Sequence, residues 1–132
     1  MDKEKEGKLP RFVVQEHDAT THHYDFRLEM DGVLKSWAVP KGISKEPGER
    51  RLAVQVEDHD LAYIDFEGEI EEGDYGAGTV AIWDRGTYEL VDRKDRKLVF
   101  NLHGEKLKGS YVLVRTKEKL WLIMKMKKEV GK

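Results

Sequence analysis

The sequence predicts a mainly all-β fold, an antiparallel β-barrel with little helix. Three observations predict it. Apolar and polar residues alternate with a period of two through most of the chain, short turn sequences separate the alternating runs, and no run has the spacing of a long amphipathic helix. Many short strands joined by tight turns favour a barrel or a sandwich. We favour the barrel, because closure removes exposed sheet edges.

Composition predicts a single domain over residues 11–132, preceded by a flexible N-terminal arm over residues 1–10. The arm is too charged to bury enough apolar surface to order itself. The chain has no cysteine, which excludes disulfides and thiolate chemistry. It shows neither a signal peptide nor an apolar run of about 20 residues, so we expect a cytoplasmic protein without a membrane segment. Its net charge of −2 means that a polyanion must be bound by a local cluster.

Alternation and turn chemistry define the elements in order. The strongest hairpin signal is Asp31-Gly32, because a type I′ turn needs positive φ at both residues. Asp84-Arg85-Gly86 predicts a second hairpin and Lys117-Glu118 a third, while Glu105 to Lys108 is expected to form one helical turn. Ten strands are predicted, at residues 11–16, 22–30, 33–39, 51–57, 63–66, 78–84, 87–92, 97–103, 109–116 and 119–126.

The hairpin at Asp31-Gly32 also predicts which side chains share a face. Residues two apart in a strand point the same way, so one polar face carries three residues, His23, Asp25 and Arg27. A two-residue turn pairs strand 22–30 with strand 33–39 and predicts three cross-strand pairs, Phe26 with Trp37, Asp25 with Ala38, and Arg27 with Ser36. The polar face therefore meets small residues, which leaves room for a ligand. In strand 51–57 the predicted apolar face is Leu52, Val54 and Val56.

Three residues of the segment HDATTHHYDFR form a candidate metal site. His17, His23 and Asp25 supply two imidazoles and a carboxylate, a set that suits Mn²⁺, Fe²⁺ or Zn²⁺ and leaves coordination positions open. His22 lies on the opposite face and is expected to be structural or a neighbour of the site. His103 closes a distant strand and is assigned no site role.

Basic and hydrogen-bonding side chains near this group predict an anion site. Arg27 is one step along the same face, and a guanidinium offers a planar pair of donors to a phosphate or carboxylate. Lys41 and the pair Arg50-Arg51 are candidates to add to this clamp, although any one of them taken alone is expected to be a solvated surface charge. His59 is a candidate general acid, because its ordinary pKa lies near neutrality. Tyr63 is expected either to donate a hydrogen bond to a phosphoryl oxygen or to pack.

From these residues alone, three interpretations stay open. The first is a metal-dependent enzyme with an anionic substrate. The second is an Fe(II) facial-triad oxygenase built from His23, Asp25 and His59. The type that uses 2-oxoglutarate needs a basic residue soon after the distal histidine, whereas the next arginine here is Arg85, with no lysine between. The third is a non-catalytic module that binds a nucleic-acid end or a phosphate.

Three long motifs add a family resemblance. The segments RFVVQEHDATTHHYDFRLEMDGVLKSWAVPKG, RLAVQVEDHDLAYIDFEGEI and GDYGAGTVAIWDRGTYEL closely resemble the 3′-phosphoesterase domain of bacterial and archaeal DNA ligase D, over roughly residues 11–92. The resemblance implies a β-barrel and a manganese-dependent enzyme of end-joining repair. Such an enzyme removes a 3′-terminal ribonucleoside to leave a 3′-phosphate, and then removes that phosphate to leave a 3′-hydroxyl.

The resemblance also implies site residues, a cofactor and partners. Its metal ligands fall on His17, His23 and Asp25, and its cofactor is Mn²⁺, with Co²⁺ or Zn²⁺ as other candidates. Its catalytic residues fall on Arg27, His59 and Tyr63, and its phosphate pocket on Gln15, Arg27, Lys41 and Arg51. The implied substrates are 3′ ends of primer–templates that terminate in DNA or RNA. Because the chain resembles a stand-alone version, the implied partners are a separate end-joining ligase, polymerase and Ku.

Overall fold

The computed structural model describes residues 8–71 and 77–131, so most of the predicted arm at residues 1–10 lies outside the described residues. The described part contains one short 3₁₀ helix, Leu61–Asp65, and nine strands: β1 Arg11–Asp18, β2 His22–Met30, β3 Val33–Val39, β4 Arg51–His59, β5 Gly68–Ile70, β6 Gly78–Lys94, β7 Lys97–Gly104, β8 Lys108–Lys117 and β9 Leu120–Lys125. No helix in these described ranges is long and apolar enough to cross a membrane.

The antiparallel barrel predicted from alternation is confirmed. Among the described residues, eight strands follow one another in the order β1-β2-β3-β4-β9-β8-β7-β6, and pairing of β1 with β6 closes the ring. Every pairing between these strands is antiparallel. Closure gives the backbone donors and acceptors of each barrel strand partners on both sides, which removes exposed edges.

The predicted hairpin at Asp84-Arg85-Gly86 is wrong, because β6 runs through it as one strand of 17 residues. Its first half pairs with β1 and its second half with β7. Gly86 does not turn the chain. A Cβ there would overlap the carbonyl oxygen of His103, so this glycine lets two strands approach closely.

Two further local predictions are corrected. The expected strand at 63–66 belongs instead to the 3₁₀ helix and the residue after it, and β5 lies just beyond. The expected helical turn from Glu105 to Lys108 is a bend followed by the start of β8. The buried carboxylate of Asp84 accepts hydrogen bonds from the backbone N–H groups of Glu105, Lys106 and Leu107 at 2.8 to 3.1 Å, and these long-range bonds replace a helical turn.

Aromatic side chains fill the barrel interior. Phe26 stacks on Phe100 with ring centroids 5.8 Å apart and packs against Trp37 at 6.3 Å. The same buried cluster includes Phe12, Tyr88, Tyr111 and Trp121. These large rings take up the inward positions, so the polar side chains that alternate with them lie on the outer face of the barrel.

The register predicted from the Asp31-Gly32 turn is confirmed. Both turn residues have positive φ, 58° and 81°, and the three predicted pairs across β2 and β3 all form. On β4, however, the apolar face of Leu52, Val54 and Val56 is not the core face. Ala53 is fully buried inside the barrel, whereas Leu52 lies outside and is exposed.

Candidate metal and phosphate-binding site

The predicted metal ligands lie together on the outer face of the barrel. His17 is paired with His23 across β1 and β2, and Gln15 is paired with Asp25. One ligand atom from each of His17, His23 and Asp25 lies within 4.8 Å of the others. His17 and Asp25 are buried and His23 is half-buried, so the group is shielded from bulk water. This is the geometry expected of two imidazoles and a carboxylate around one divalent cation.

Hydrogen bonds orient the ligands. The Nδ1 atom of His23 lies 3.2 Å from the carbonyl oxygen of Thr21, and its Nε2 atom lies 3.3 Å from Asp25 Oδ1. A backbone carbonyl that accepts from Nδ1 leaves Nε2 to ligate a metal, which is the usual arrangement around a metal-bound histidine. The hydrogen bond to Asp25 raises the pKa of His23, and this effect outweighs the opposing effect of burial. In the metal-free protein the Asp25 carboxylate therefore favours protonation of His23, at the position that a metal ion would occupy.

Arg27 is a buried cation next to the metal group. Its side chain is buried, with 4% of its surface exposed, and its Nη2 atom lies 3.5 Å from Asp25 Oδ2. Its Nε donates to Gln15 Oε1 at 2.6 Å and its Nη1 to Ser36 Oγ at 2.8 Å. Burial lowers the pKa of Arg27, but a guanidinium stays charged at any working pH. The result is a fixed cation beside the candidate metal.

Gln15 connects this cation to the chain that covers it. Its Nε2 donates to the carbonyl oxygens of Tyr63 and Phe66 at 3.0 and 3.2 Å, while its Oε1 accepts from Arg27. The side chain is fully buried. Its amide therefore has partners at both ends, and it holds the 3₁₀ helix over Arg27. Direct binding of phosphate, which the family resemblance implies for Gln15, would have to displace one of these partners.

A β-bulge brings His59 to the site. Ser36 is paired with Val56 and Leu34 with His59, so β4 advances three residues while β3 advances two. The extra residue places His59 on the outer face, where its Nδ1 lies 3.1 Å from Arg27 Nη1. Among the described residues, the group that could hold a metal contains His17 with His23 and Asp25, whereas the facial-triad interpretation needs His59 in place of His17.

The surroundings of His59 favour a neutral imidazole. Burial, followed by the nearby charge of Arg27, lowers the pKa of His59. Arg27 Nη1 is a donor only, so its contact with Nδ1 requires that nitrogen to accept and leaves the proton on Nε2. A competing contact from Nδ1 to the carbonyl oxygen of Glu57 is longer, at 3.2 Å. The neutral ring then carries its hydrogen-bond donor at Nε2.

Tyr63 covers Arg27 from the solvent side. The guanidinium carbon lies 4.9 Å from the centre of the Tyr63 ring, and the ring of His59 is 4.7 Å away on centroids. Phe66 stacks on Tyr63 with ring centroids 4.9 Å apart. Burial raises the pKa of Tyr63, so the phenol keeps its proton and stays a hydrogen-bond donor. The two predictions for Tyr63, packing and donation of a hydrogen bond from its hydroxyl, are therefore compatible with each other.

The arrangement matches a known family. The model of the DNA ligase D 3′-phosphoesterase domain matches residues 15–115, which include all the site residues described above. The chain belongs to this family. The resemblance inferred from the three sequence motifs is therefore confirmed.

Curated relatives of this 3′-phosphoesterase domain are much longer proteins. The multifunctional non-homologous end joining protein LigD of Pseudomonas aeruginosa is 53% identical over 128 residues, which are 90% of this chain and 15% of that protein. The LigD of Mycolicibacterium smegmatis is 47% identical over 134 residues, 93% of this chain and 18% of that protein. The Mycobacterium tuberculosis protein is 48% identical and is matched over 16% of its length. The chain thus spans less than a fifth of each.

Lys41 and Arg51, which the family resemblance places in the phosphate pocket, lie in and next to the loop after β3. The guanidinium of Arg51 donates to the carbonyl oxygens of Lys41 and Gly42 at 2.5 and 3.1 Å and pairs with Glu49 at 3.3 Å. Lys41 is exposed in the loop after β3. In the described structure Arg51 thus shapes the loop that carries Lys41, and its contacts stay within that region.

The remaining histidines pair with acids outside the cluster. His22 lies on the opposite face, 2.8 Å from Glu16, and His103 is 3.4 Å from Glu89. Sequence reasoning did not foresee the hydrogen bond between Ser36 and Arg27 or the stacking of Phe66 on Tyr63. Ser36 is fully buried and bridges Arg27 to the carbonyl oxygen of Leu34. The predicted pairing of Arg27 with Ser36 was a signal for this role, whereas no local pattern marks Phe66.

Proposed function

We propose that this chain is a metal-dependent phosphoesterase that processes nucleic-acid 3′ ends in end-joining repair. It would remove a 3′-terminal ribonucleoside to leave a 3′-phosphate, and then that phosphate to leave a 3′-hydroxyl. One observation carries the proposal. The same Asp25 oxygen, Oδ2, lies 3.8 Å from His17 Nδ1 and 3.5 Å from Arg27 Nη2, so a metal group and a buried cation meet at one point. The names of the relatives support the repair context.

The donor set fits the metal that the family resemblance implies. Two imidazole nitrogens and one carboxylate suit Mn²⁺, Co²⁺ or Zn²⁺. His17, His23 and Asp25 would hold the ion and leave other coordination positions for substrate and water. When bound, the ion supplies Lewis-acid polarisation of a phosphoryl oxygen.

Arg27 would stabilise the charge that develops on the phosphoryl group. Its Nε and Nη1 are already held by Gln15 and Ser36, so its orientation is set before substrate arrives. A preorganised donor in a shielded site costs no reorganisation during the reaction, and this is why it is effective. The cation is therefore part of the catalyst and is more than an attractive surface charge.

His59 would act as a neutral donor. Because its pKa is lowered, it carries no extra proton at neutral pH, and a bound divalent cation nearby lowers this pKa further. Its Nε2–H would donate a hydrogen bond to a phosphoryl oxygen or to the leaving oxygen, while Tyr63 orients the phosphate. This role replaces the protonated general acid expected from the sequence.

A labelled primer–template ending in one ribonucleotide tests the proposal. With Mn²⁺ we expect conversion to a 3′-phosphate and then to a 3′-hydroxyl, and no product with a chelator or with Asp25→Asn. His103→Ala, which changes a histidine outside the cluster, should retain full activity. Tight binding without product in Mn²⁺, Co²⁺ or Zn²⁺ would support a non-catalytic binding module. Turnover that requires oxygen and a 2-oxo acid would support the oxygenase.

A further inference from the structure

A line of apolar residues continues the site face across the barrel. Asp25 is paired with Ala38, Ala38 with Val54, and Val54 with Leu120. Directly paired residues point to the same side of a sheet, so these four side chains form one row on the outer face. Neighbouring strands are about 4.8 Å apart, so the part of the row from Ala38 to Leu120 is about 10 Å long and begins one strand away from Asp25.

A second pair widens this row. Leu52 is paired with Leu122 two residues along the same face. We call Ala38, Leu52, Val54, Leu120 and Leu122 the apolar shelf. Leu52 and Leu120 are 45% and 42% exposed, although each belongs to a strand in the barrel wall. A contiguous exposed apolar surface beside a polar site is typical of a binding surface.

The 3₁₀ helix covers the side of Arg27 that faces away from the apolar shelf. The 3₁₀ helix places Tyr63 over the guanidinium, and Ile64 packs against Val13 and Leu34 on the outer face. Gln15 ties this cover down through two backbone carbonyls. A group attached to a phosphate held by Arg27 and the metal group can therefore extend along the sheet over the apolar shelf, on the side away from this cover.

We propose that the apolar shelf binds the ribose and base of the 3′-terminal nucleoside while the metal group and Arg27 hold its phosphodiester. This inference rests on the proposed function. The shelf has no ionisable side chain. In a processed 3′ end the departing nucleoside carries no phosphate beyond the scissile one, whereas the retained strand carries a charge at every step. An uncharged shelf therefore matches the nucleoside and not the retained strand.

The proposal predicts different behaviour for the two reactions. The diester step has a nucleoside to place on the shelf, whereas the monoester step begins after that nucleoside has left. We would measure KM for one primer–template ending in a ribonucleotide and for the same primer–template ending in a 3′-phosphate. The variants are Leu52→Asp and Leu120→Asp, both at exposed positions that tolerate a polar side chain. The matched control is Leu90→Asp on β6, where Leu90 is 41% exposed.

We expect each shelf variant to raise the ratio of the diester KM to the monoester KM by about tenfold or more, since poor fit in an apolar subsite costs about that much. Leu90→Asp should leave the ratio unchanged. An unchanged ratio in both shelf variants would overturn the proposal and leave the proposed function intact. A wild-type dimer that Leu120→Asp converts to a monomer would also overturn it, because a second copy would then cover the shelf.

Methyl NMR separates this inference from the proposed function if the wild-type protein cleaves neither substrate. Titration with a dinucleoside monophosphate should shift the methyl signals of Leu52 and Leu120, while inorganic phosphate alone should not. Shifts of these signals would support nucleoside binding in a protein that lacks the activity. Their absence at saturation would exclude the shelf as the nucleoside site.

Discussion

The Nη1 atom of Arg27 lies 3.1 Å from Nδ1 of His59, although the two residues are 32 positions apart in the chain. The contact couples the proposed phosphate clamp to the imidazole, because burial and then the charge of the guanidinium lower the pKa of His59. It also depends on the bulge in β4, which turns His59 onto the site face. Replacing either residue is therefore expected to change the behaviour of the other.

Arg27→Ala should reduce kcat by about a hundredfold or more, because it removes a preorganised donor from the reacting phosphate. Arg27→Lys should recover only part of this loss, since an ammonium keeps the charge without the planar fork. Steady-state kinetics on the 3′-phosphate substrate measures both effects, and Mn²⁺ affinity should change little. Arg93→Ala is a suitable control, because Arg93 pairs with Asp31 at the surface. Full activity in Arg27→Lys would show that only a general charge is needed.

His17→Ala should abolish the stabilisation of the protein by Mn²⁺. A ligand at a hundred times its dissociation constant stabilises the folded state by about 2.7 kcal/mol, and the variant lacks one of three ligands. Thermal unfolding with and without Mn²⁺ measures this difference without using activity. His103→Ala should respond to Mn²⁺ like the wild-type protein. If His17→Ala still gains stability from Mn²⁺ at limiting concentrations, the ligand assignment is wrong.

The metal-free and Mn²⁺-bound proteins should respond oppositely to pH. The pKa of His23 is raised in the metal-free fold, so its contribution to stability is fully present below pH 6.5 and is lost as the pH rises through the folded pKa. Mn²⁺ needs the neutral imidazole, so its affinity should fall as the pH drops below that folded pKa. Calorimetric titration and thermal unfolding across this range measure the two trends.

His23→Gln is the matching variant for this pH dependence. It should remove the pH trend of the metal-free protein and weaken Mn²⁺ binding at every pH. A Mn²⁺ affinity in the wild-type protein that stays constant through the titration of His23 would contradict its role as a ligand.

Gln15→Ala should act on structure more than on phosphate affinity. The substitution leaves Arg27 Nε and two backbone carbonyls of the cover without their partner, which is expected to cost about 1–3 kcal/mol of unfolding free energy. With the cover loosened, kcat should fall while inhibition by inorganic phosphate stays close to that of the wild-type protein. A selective loss of phosphate affinity at unchanged stability would instead support the direct phosphate contact predicted from the sequence.

Local patterns in the sequence were sufficient for the β2–β3 hairpin and its register. Asp31-Gly32 can adopt the required positive φ values, and the period of two then assigns every pair across the turn. The same logic placed His23, Asp25 and Arg27 on one face. It failed at Gly86, because a glycine needed for close strand approach has the same local signature as a glycine needed for a turn.

Sequence alone determined the barrel class, the polar face of β2 and the residue types suited to a metal and an anion. Each depends on neighbours in the chain, on side-chain alternation or on intrinsic ligand chemistry. Tertiary structure decided that this face lies outside the barrel, that the bulge in β4 brings His59 to Arg27, and that Gln15 holds the cover. These features depend on which side of a closed sheet the aromatic residues occupy and on contacts between distant segments. Alternation shows that side chains share a face, but only packing of the whole barrel decides which face is buried.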